Sequence, residues 1–482
     1  MSAAGAPGRS AKKNAFLIMG AIMVSRVCGL VREMVLNAFI GPGLVLDSFY
    51  AAFRIPNLLR DLFAEGALST AFVTVFSQML AKEKRQEAFR LANNVLLNLC
   101  LIMTLICGVG MIFSPELVQL FNPGFAEIPG KSELTVQLTR LLFPFIALAS
   151  LAAVFMGLLN SLGSFGLPAS ASTAFNVVSI LTGLTAAWLI DPTFGVDSIF
   201  GFAIGTLLGG LAQWLILVPR AFSYGYRPAM VMAWQDPAFQ QVCRLMVPTL
   251  IGGAAVQVNV LVNGYFASYL GNGPVSWLNS AFRLMQLPIG LFGVAIATVT
   301  LPAVAKLAAH EFKGEFRNHL SSALRQSFFL NFPAALGLFL LAEPVVRLVF
   351  QRGAFTEIDT QQTAAVLQAY VIGLAGYASI KVLSPTFAAL NKAYIPMRVS
   401  MIGIFLNVGL NFVFLTQFGF GVVGLALATS MVAIFNFLQL AHAAKREVGS
   451  LLDPVTSKAL LRIVGAATAM SVVVILLDRA VG

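Results

Sequence analysis

The stretch DSFYAAFRIPNLLRDLFAEG, from Asp47 to Gly66, decides how the chain is read. It holds Asp47, Arg54, Arg60, Asp61 and Glu65 and a Pro56-Asn57 pair, yet it sits between apolar runs, where a membrane helix belongs. Read as one helix at about 100° per residue, Asp47, Arg54, Asn57, Asp61 and Glu65 fall within a sector of roughly 80°. At about 1.5 Å per residue that stripe runs about 27 Å, comparable to the hydrocarbon core of a bilayer. Charges at such depth cost at least a few kcal/mol each, so they are expected to face a polar cavity and mark a pathway. Arg60 points away from the sector, and Pro56 is expected to kink the helix and rotate its second half.

The surrounding composition agrees with a membrane setting. Of 482 residues, 58% are hydrophobic and only 11% are charged, against about 25% charged in soluble domains. The fold class expected is therefore all-α, a polytopic integral membrane protein. Helices of roughly 20 apolar residues are predicted at 15–40, 46–79, 92–113, 134–159, 168–190, 198–219, 240–270, 275–304, 322–342, 361–390, 397–416, 420–443 and 459–477. That is about thirteen spans.

A net charge of +11 would suit nucleic acid, but the cations are placed as a topology signal, so no nucleic-acid partner is expected. Lys12/Lys13, Lys82–Arg90, Arg220/Arg227, Lys306–Arg317, Lys392/Arg398 and Lys445–Lys458 occupy one set of connections. The other set (GPG, NPGFAEIPG, DPTFGVDS, GNGP, QFGFG) is nearly free of cations. The bias places the N-terminus in the cytoplasm, with residues 1–14 as a retained basic tail. Cys28, Cys100, Cys107 and Cys243 lie in or beside apolar segments without metal-type spacing, and read as small buried hydrophobes. No metal site is expected.

An internal repeat organises the chain. Ala52-Phe53-Arg54-Ile55 resembles Ala281-Phe282-Arg283-Leu284, and the segment around Asn160 resembles the one around Asn391, at offsets of 229 and 231 residues. A shift of six helices preserves orientation, so two parallel six-helix lobes are expected around a central site. The expected domains are an N-lobe over 15–222, a C-lobe over 223–444, and an additional C-terminal helix within 445–482.

Two further polar stripes accompany the first. Ser25, Arg26, Gly29, Arg32 and Glu33 share one side of the first helix, and Ser276, Asn279, Ser280, Arg283 and Gln286 share one side of the eighth. Arginines outnumber acids across these helices, and surplus guanidinium suits a phosphate or diphosphate, which Arg grips in a bidentate fork. Arg26, Arg32, Arg54, Asn57, Arg60, Ser276 and Arg283 are the candidate substrate-binding residues. Glu33, Asp47, Asp61 and Glu65 are the candidate gating or charge-pairing acids. Asn93, Asn94, Asn98, Asn407 and Asn411 read as interhelical hydrogen-bonding residues, and Gly205-x-x-x-Gly209 as a close-packing motif.

SRVCGLVRE (25–33), DSFYAAFRIPNLLRDLFAEGALSTAFVTVF (47–76), SWLNSAFRLMQLPIGLFGVAIATVTLP (276–302) and LVFQRGAFT (348–356) together resemble the MurJ/MviN family of lipid II flippases. That family belongs to the multidrug/oligosaccharidyl-lipid/polysaccharide exporter superfamily, and the likeness runs through nearly the whole chain. The resemblance implies a cationic cavity between two six-helix lobes, and further C-terminal helices, fourteen in all, forming a groove for the polyprenyl tail. It implies transport of undecaprenyl-diphosphate-linked disaccharide-pentapeptide from the cytoplasmic to the periplasmic leaflet of the bacterial inner membrane, for peptidoglycan synthesis.

Matched motif by motif, the functional arginines fall on Arg26, Arg32, Arg60 and Arg283, with Asp47, Asn57, Glu65 and Ser276 beside them. Arg54 matches a basic position. The chain departs from the family pattern at Phe282, Asn263 and Lys392, where relatives carry acids, so support for sodium coupling is weakened there. No cofactor is expected beyond coupling to membrane potential or a monovalent cation, and the partners expected are lipid II, membrane lipids and cell-wall synthesis proteins. The rivals are a drug antiporter of the superfamily, an exporter of another polyprenyl-linked sugar, and a membrane enzyme acting on polyprenyl phosphates. A drug antiporter favours acidic and aromatic cavities, and the enzymes need clustered acids, histidines or metal ligands.

Overall fold

A computed structural model describes residues 9–293, 296, 300, 313–390, 392–451 and 453–481. Among them there is no strand. The helices are α1 (Arg9–Phe39), α2 (Leu44–Arg60), α3 (Ser69–Ala81), α4 (Arg85–Ile112), α5 (Ser114–Phe121), α6 (Lys131–Leu142) and α7 (Phe145–Ser161). They continue with α8 (Gly166–Ile190), α9 (Ser198–Leu215), α10 (Val218–Ser223), α11 (Pro237–Ser268) and α12 (Pro274–Pro288). The last are α13 (Lys313–Leu340), α14 (Ala342–Phe350), α15 (Glu357–Val371), α16 (Leu374–Ala389), α17 (Tyr394–Thr416), α18 (Gly421–Val448) and α19 (Pro454–Val481).

Each predicted span falls on helix, the eighth only in part because it runs beyond the described residues. Seven described helices are long and apolar enough to cross a membrane, and two further bent pairs, α13 with α14 and α15 with α16, bring that to nine. The remaining predicted spans are the polar-striped 15–40, 46–79 and 275–304, together with 240–270. The predicted span 322–342 does not stop cleanly: its helix turns by 78° into α14. Span 361–390 is likewise broken, with a 46° bend between α15 and α16.

The chain divides into two compact units, residues 1–257 and 258–482. The division falls inside α11, later than the 222/223 lobe boundary of the sequence reading, which lies at the end of α10. The packing explains this, because Phe239 and Val242 of α11 are buried in the core of unit 1 with Phe72, Phe76, Leu91 and Leu158. In unit 2 the core gathers Phe316, Leu320, Leu383, Phe387 and Leu440.

Within unit 1, α8 and α9 pack with their backbones almost touching. A Cβ added at Gly205 would lie 2.4 Å from the Gly183 Cα, and one at Gly209 would lie 2.2 Å from the Ser179 hydroxyl. The Gly205-x-x-x-Gly209 motif is thus a packing device, as read. Two cysteines differ from expectation: Cys107 is buried, but Cys100 and Cys243 are exposed, since they lie on the outward faces of their apolar helices.

Pro56 does not break α2, which continues through it to Arg60. The irregularity comes later, as a π-helical segment over Asp61–Leu68. Its wider turn shifts the phase of every later residue, so the single 100° wheel holds along α2 for Asp47, Arg54 and Asn57 and loses its register within the π segment. The side chain of Glu65 lies outside the described residues, as does Asn391. Gly66 permits the wide turn, because a Cβ there would meet the Asp61 carbonyl oxygen at 2.9 Å.

Candidate functional site

Three helices of unit 1 carry the polar stripe. α1 brings Arg26, Arg32 and Glu33; α2 brings Asp47, Arg54, Asn57 and Arg60; the π segment brings Asp61. Glu33 is buried, and its carboxylate accepts a 2.6 Å bond from the Tyr50 hydroxyl of α2. That bond ties α1 to α2 from the interior. Arg32 reaches the other Glu33 oxygen at 3.3 Å and lies over the Phe175 ring of α8, 5.1 Å from its centroid. The guanidinium is thus steered by an acid on one side and by the ring's π face on the other. Arg32, Phe49, Ser179 and Thr206 border a cavity of about 10 Å³, room for roughly one water. The Ser179 hydroxyl is buried there with no hydrogen-bond partner among the described residues.

Arg26 lies a turn and a half before Arg32 and is half-buried. Its Nε is buried and has no hydrogen-bond partner among the described residues. Arg54 and Asn57 are also half-buried on α2. Arg60, which the helical wheel points away from the stripe, bonds its neighbour Asp61 at 2.7 Å and leans toward Phe145, 5.9 Å from the ring centroid. Asp61 in turn accepts a 3.3 Å bond from Gln257.

Asp47 makes the contact that the sequence did not reveal. Its carboxylate meets Lys131 Nζ at 3.0 Å, and neither side chain has any exposed surface. Lys131 is the first residue of α6, following Gly130 in the left-handed region (φ 76°). Its ammonium also sits 4.3 Å from the Phe125 ring centroid. Asp47, a candidate gating or charge-pairing acid by sequence, has a lysine against it in the structure. Tyr50 and Lys131 were both missed, Tyr50 as an aromatic in an apolar run and Lys131 as a lone cation after a loop of the cation-poor set.

Unit 2 places Ser276 and Arg283 on α12, with Ser276 wholly buried and Arg283 half-buried. Beside Ser276, Trp277 Nε1 donates to Asp359 at 2.9 Å. Asp359 closes a capping box with Thr356 at the start of α15.

Elsewhere in unit 2, Asn263 accepts bonds from Asn407 and Asn411, both at 3.0 Å, and donates to the Thr429 hydroxyl at 2.8 Å. Asn407 also donates to Asn259 at 2.6 Å. Asn407 and Asn411 therefore do make the interhelical bonds expected of them. Each of these partners of Asn263 is neutral, so the cluster lacks the formal negative charge that offsets a bound cation in a low-dielectric interior. It does not fit a carboxylate-based sodium site. The other departure, Lys392, is an ion-pair partner of Glu447.

The family model described as "Lipid II flippase MurJ" matches residues 36–481. The chain belongs to the MurJ family. "Probable lipid II flippase MurJ" of Vibrio cholerae is 35% identical over 431 residues, covering 88% of this chain and 81% of the relative. The protein of the same name from Bdellovibrio bacteriovorus is 35% identical over 437 residues, covering 90% and 82%. The solved structure "Lipid II flippase MurJ, inward closed conformation" superposes with TM-score 0.80 at 27% identity, over 96% of this chain and 93% of that one. An inward-facing multidrug resistance MATE family transporter matches with TM-score 0.71 at 14% identity, over 91% and 98%. That last likeness concerns the fold alone. The MurJ family members are named as flippases, and this chain is a multi-pass membrane transporter rather than an enzyme.

Proposed function

We propose that the chain is a lipid II flippase. It moves undecaprenyl-diphosphate-disaccharide-pentapeptide from the cytoplasmic to the periplasmic leaflet of a bacterial inner membrane, with its N-terminus in the cytoplasm. Membership of the MurJ family carries the reading, and the arginine surplus on α1, α2 and α12 is its chemical counterpart. Arg26, Arg32, Arg54 and Arg283 offer guanidiniums whose forks match diphosphate oxygens. The sugar-peptide head occupies aqueous space while the polyprenyl tail stays in lipid against α19. Glu33, Asp47, Asp61 and Glu65 keep this cationic helix set electrostatically tolerable in the empty state.

Alternating access then presents the head group to the other side. A diphosphate carries negative charge outward, and an inside-negative potential favours that movement by about 2.3 kcal/mol per charge per 100 mV. The neutral Asn263 cluster favours the membrane potential over a monovalent cation as the energy source. Proteins that polymerise the delivered precursor are the expected protein partners.

The test is complementation of a strain depleted of its own lipid II flippase, paired with a leaflet-specific lipid II assay with and without membrane potential. Arg26→Ala, Arg32→Ala and Arg283→Ala should each lose translocation while remaining folded and inserted in the membrane. Normal translocation by all three would sink the diphosphate-binding role of these helices.

A further inference from the structure

Residues 224–236 join α10 to α11 without regular structure, yet they are firmly held. Asn94 of α4 is fully buried and grips the backbone of Ala233 in both directions. Its Nδ2 donates to the Ala233 carbonyl at 2.8 Å, and its Oδ1 accepts from the Ala233 N–H at 2.9 Å. Asn93 donates to the Arg227 carbonyl at 2.9 Å and accepts from the buried Tyr226 hydroxyl at 2.6 Å. These two asparagines were read as helix-to-helix bonds; they are in fact clamps on a loop.

Between and just beyond the clamps the exposure alternates. Met230, Met232 and Trp234 are 95%, 59% and 51% exposed, while Val231 and Ala233 between them are partly covered. A period of two is what an extended chain produces, so Met230 and Met232 share a side; Trp234 follows in the turn over 234–235 and continues the exposed apolar row, its ring edge-on to Phe239 at 5.9 Å. Two buried carboxamides thus hold in place a row of exposed apolar side chains, an arrangement that water alone does not reward.

The row's position and its charges indicate its partner. The loop begins where Ser198–Ser223, long and apolar enough to span a membrane, ends, so it lies at a membrane–water boundary. Around it stand exposed guanidiniums. Arg220 stacks on Tyr224, 4.9 Å from the ring centroid, and Arg85 donates to the Tyr224 carbonyl at 2.6 Å. Arg227 reaches the carbonyls of Phe222 and Tyr226, both at 3.3 Å. The loop's acid, Asp236, accepts the Ala238 N–H at 2.8 Å at the start of α11. An apolar row ending in Trp and ringed by Arg matches the chemistry of an anionic lipid interface.

We propose that Met230, Met232 and Trp234 insert into the acyl boundary of the adjoining leaflet. Arg85, Arg220 and Arg227 bind its anionic headgroups and hold the row in place. The assignment does not rest on the transported substrate.

The test uses the full chain in nanodiscs of phosphatidylcholine, alone or mixed with phosphatidylglycerol, with and without acyl-brominated lipid. Subtracting the emission of the Trp234→Phe variant isolates the Trp234 signal. Bromines near the headgroup end of the acyl chain should quench most of that signal, and more strongly when phosphatidylglycerol is present. The Arg220→Glu/Arg227→Glu variant should lose the phosphatidylglycerol increment, and Met230→Gln/Met232→Gln should lose quenching in both lipids. Unaltered emission from the remaining tryptophans serves as the folding control for both variants. Water-like, unquenched Trp234 emission in both lipids overturns the proposal. So does quenching that is identical with and without phosphatidylglycerol.

Discussion

α2 and α12, 229 residues apart in the repeat, share a backbone plan. Each carries an arginine in its second half, Arg54 or Arg283, then a proline, Pro56 or Pro288, and each runs into a π-helical segment. Their first turns differ sharply at the repeat-equivalent positions Asp47 and Ser276. Asp47 is anchored by the ammonium of Lys131 with both groups inaccessible. Ser276 is equally buried but neutral, and its neighbour Trp277 donates to Asp359. At this position one arginine-bearing helix carries a buried ion pair, and the other a neutral serine beside a donor to a carboxylate already engaged in a helix cap. The geometry of the cationic helix is common to both repeats, but the chemistry that holds it is not.

The sharpest way to break the comparison is to remove one charge from the first anchor. Asp47→Ala or Lys131→Ala leaves the other group buried without its counter-ion in this pair, an expected cost of about 3–5 kcal/mol. Ser276→Ala should cost about 1 kcal/mol or less. Thermal unfolding of the detergent-solubilised chain, followed by intrinsic fluorescence, measures all three. The Asp47→Leu/Lys131→Leu double variant should lose less than either single change, because no lone charge remains. Equal losses at Asp47 and Ser276 would show that the two first turns are held alike.

The π segment comes next. Gly66→Ala places a methyl carbon 2.9 Å from the Asp61 carbonyl oxygen, so the wide turn must shift, at an expected cost of about 1–3 kcal/mol. Because Asp61 bonds to both Arg60 and Gln257, the same change should alter transport more than its stability loss explains. Unchanged transport kinetics in a destabilised variant would reduce the π turn to a packing detail. In unit 2, Trp277→Phe removes the bond to Asp359 while keeping the ring, and about 1 kcal/mol is expected from the same melting assay.

Much of this was legible before any coordinates, for a physical reason. Bilayer-length apolar runs mark helices whatever their neighbours do, so the predicted spans fall on helix wherever their residues are described. The repeat and the arginine stripes are local patterns too, readable from helical phase alone. Lys131 was not legible, since its partner lies 84 residues away and nothing in NPGFAEIPGK announces burial. The π turn escaped because Pro56 offered a more obvious site for a kink, one that α2 passes through unbroken. Asn93 and Asn94 were recognised as hydrogen-bonding residues, but helical phase cannot say that their partner is the backbone of a loop 134 or 139 residues later. The bend between α15 and α16 is hidden for a similar reason, because hydropathy continues smoothly across it, whereas the predicted end at 342 falls on the turn into α14.

The smallest expected effect belongs to an ion pair that stands in contrast to Asp47–Lys131. Lys392, in the connection between α16 and α17, bonds Glu447 near the end of α18, with 37% and 26% of the two side chains exposed. The hydrogen bond to Glu447 raises the lysine above its ordinary 10.5, so the folded state holds the proton more tightly than the unfolded chain does. By linkage, the contribution is fully present below that ordinary value and disappears as pH climbs through the raised one. Lys392→Gln should therefore lower the melting temperature slightly at neutral pH and make no difference once the wild-type lysine has lost its proton. Added salt should shrink the neutral-pH difference, because water reaches this pair. Salt should leave the effect of Lys131→Ala nearly unchanged, because neither of those groups is accessible. A Lys392 effect that is as large as that of Lys131 and indifferent to salt would mean that exposure is not what separates the two pairs.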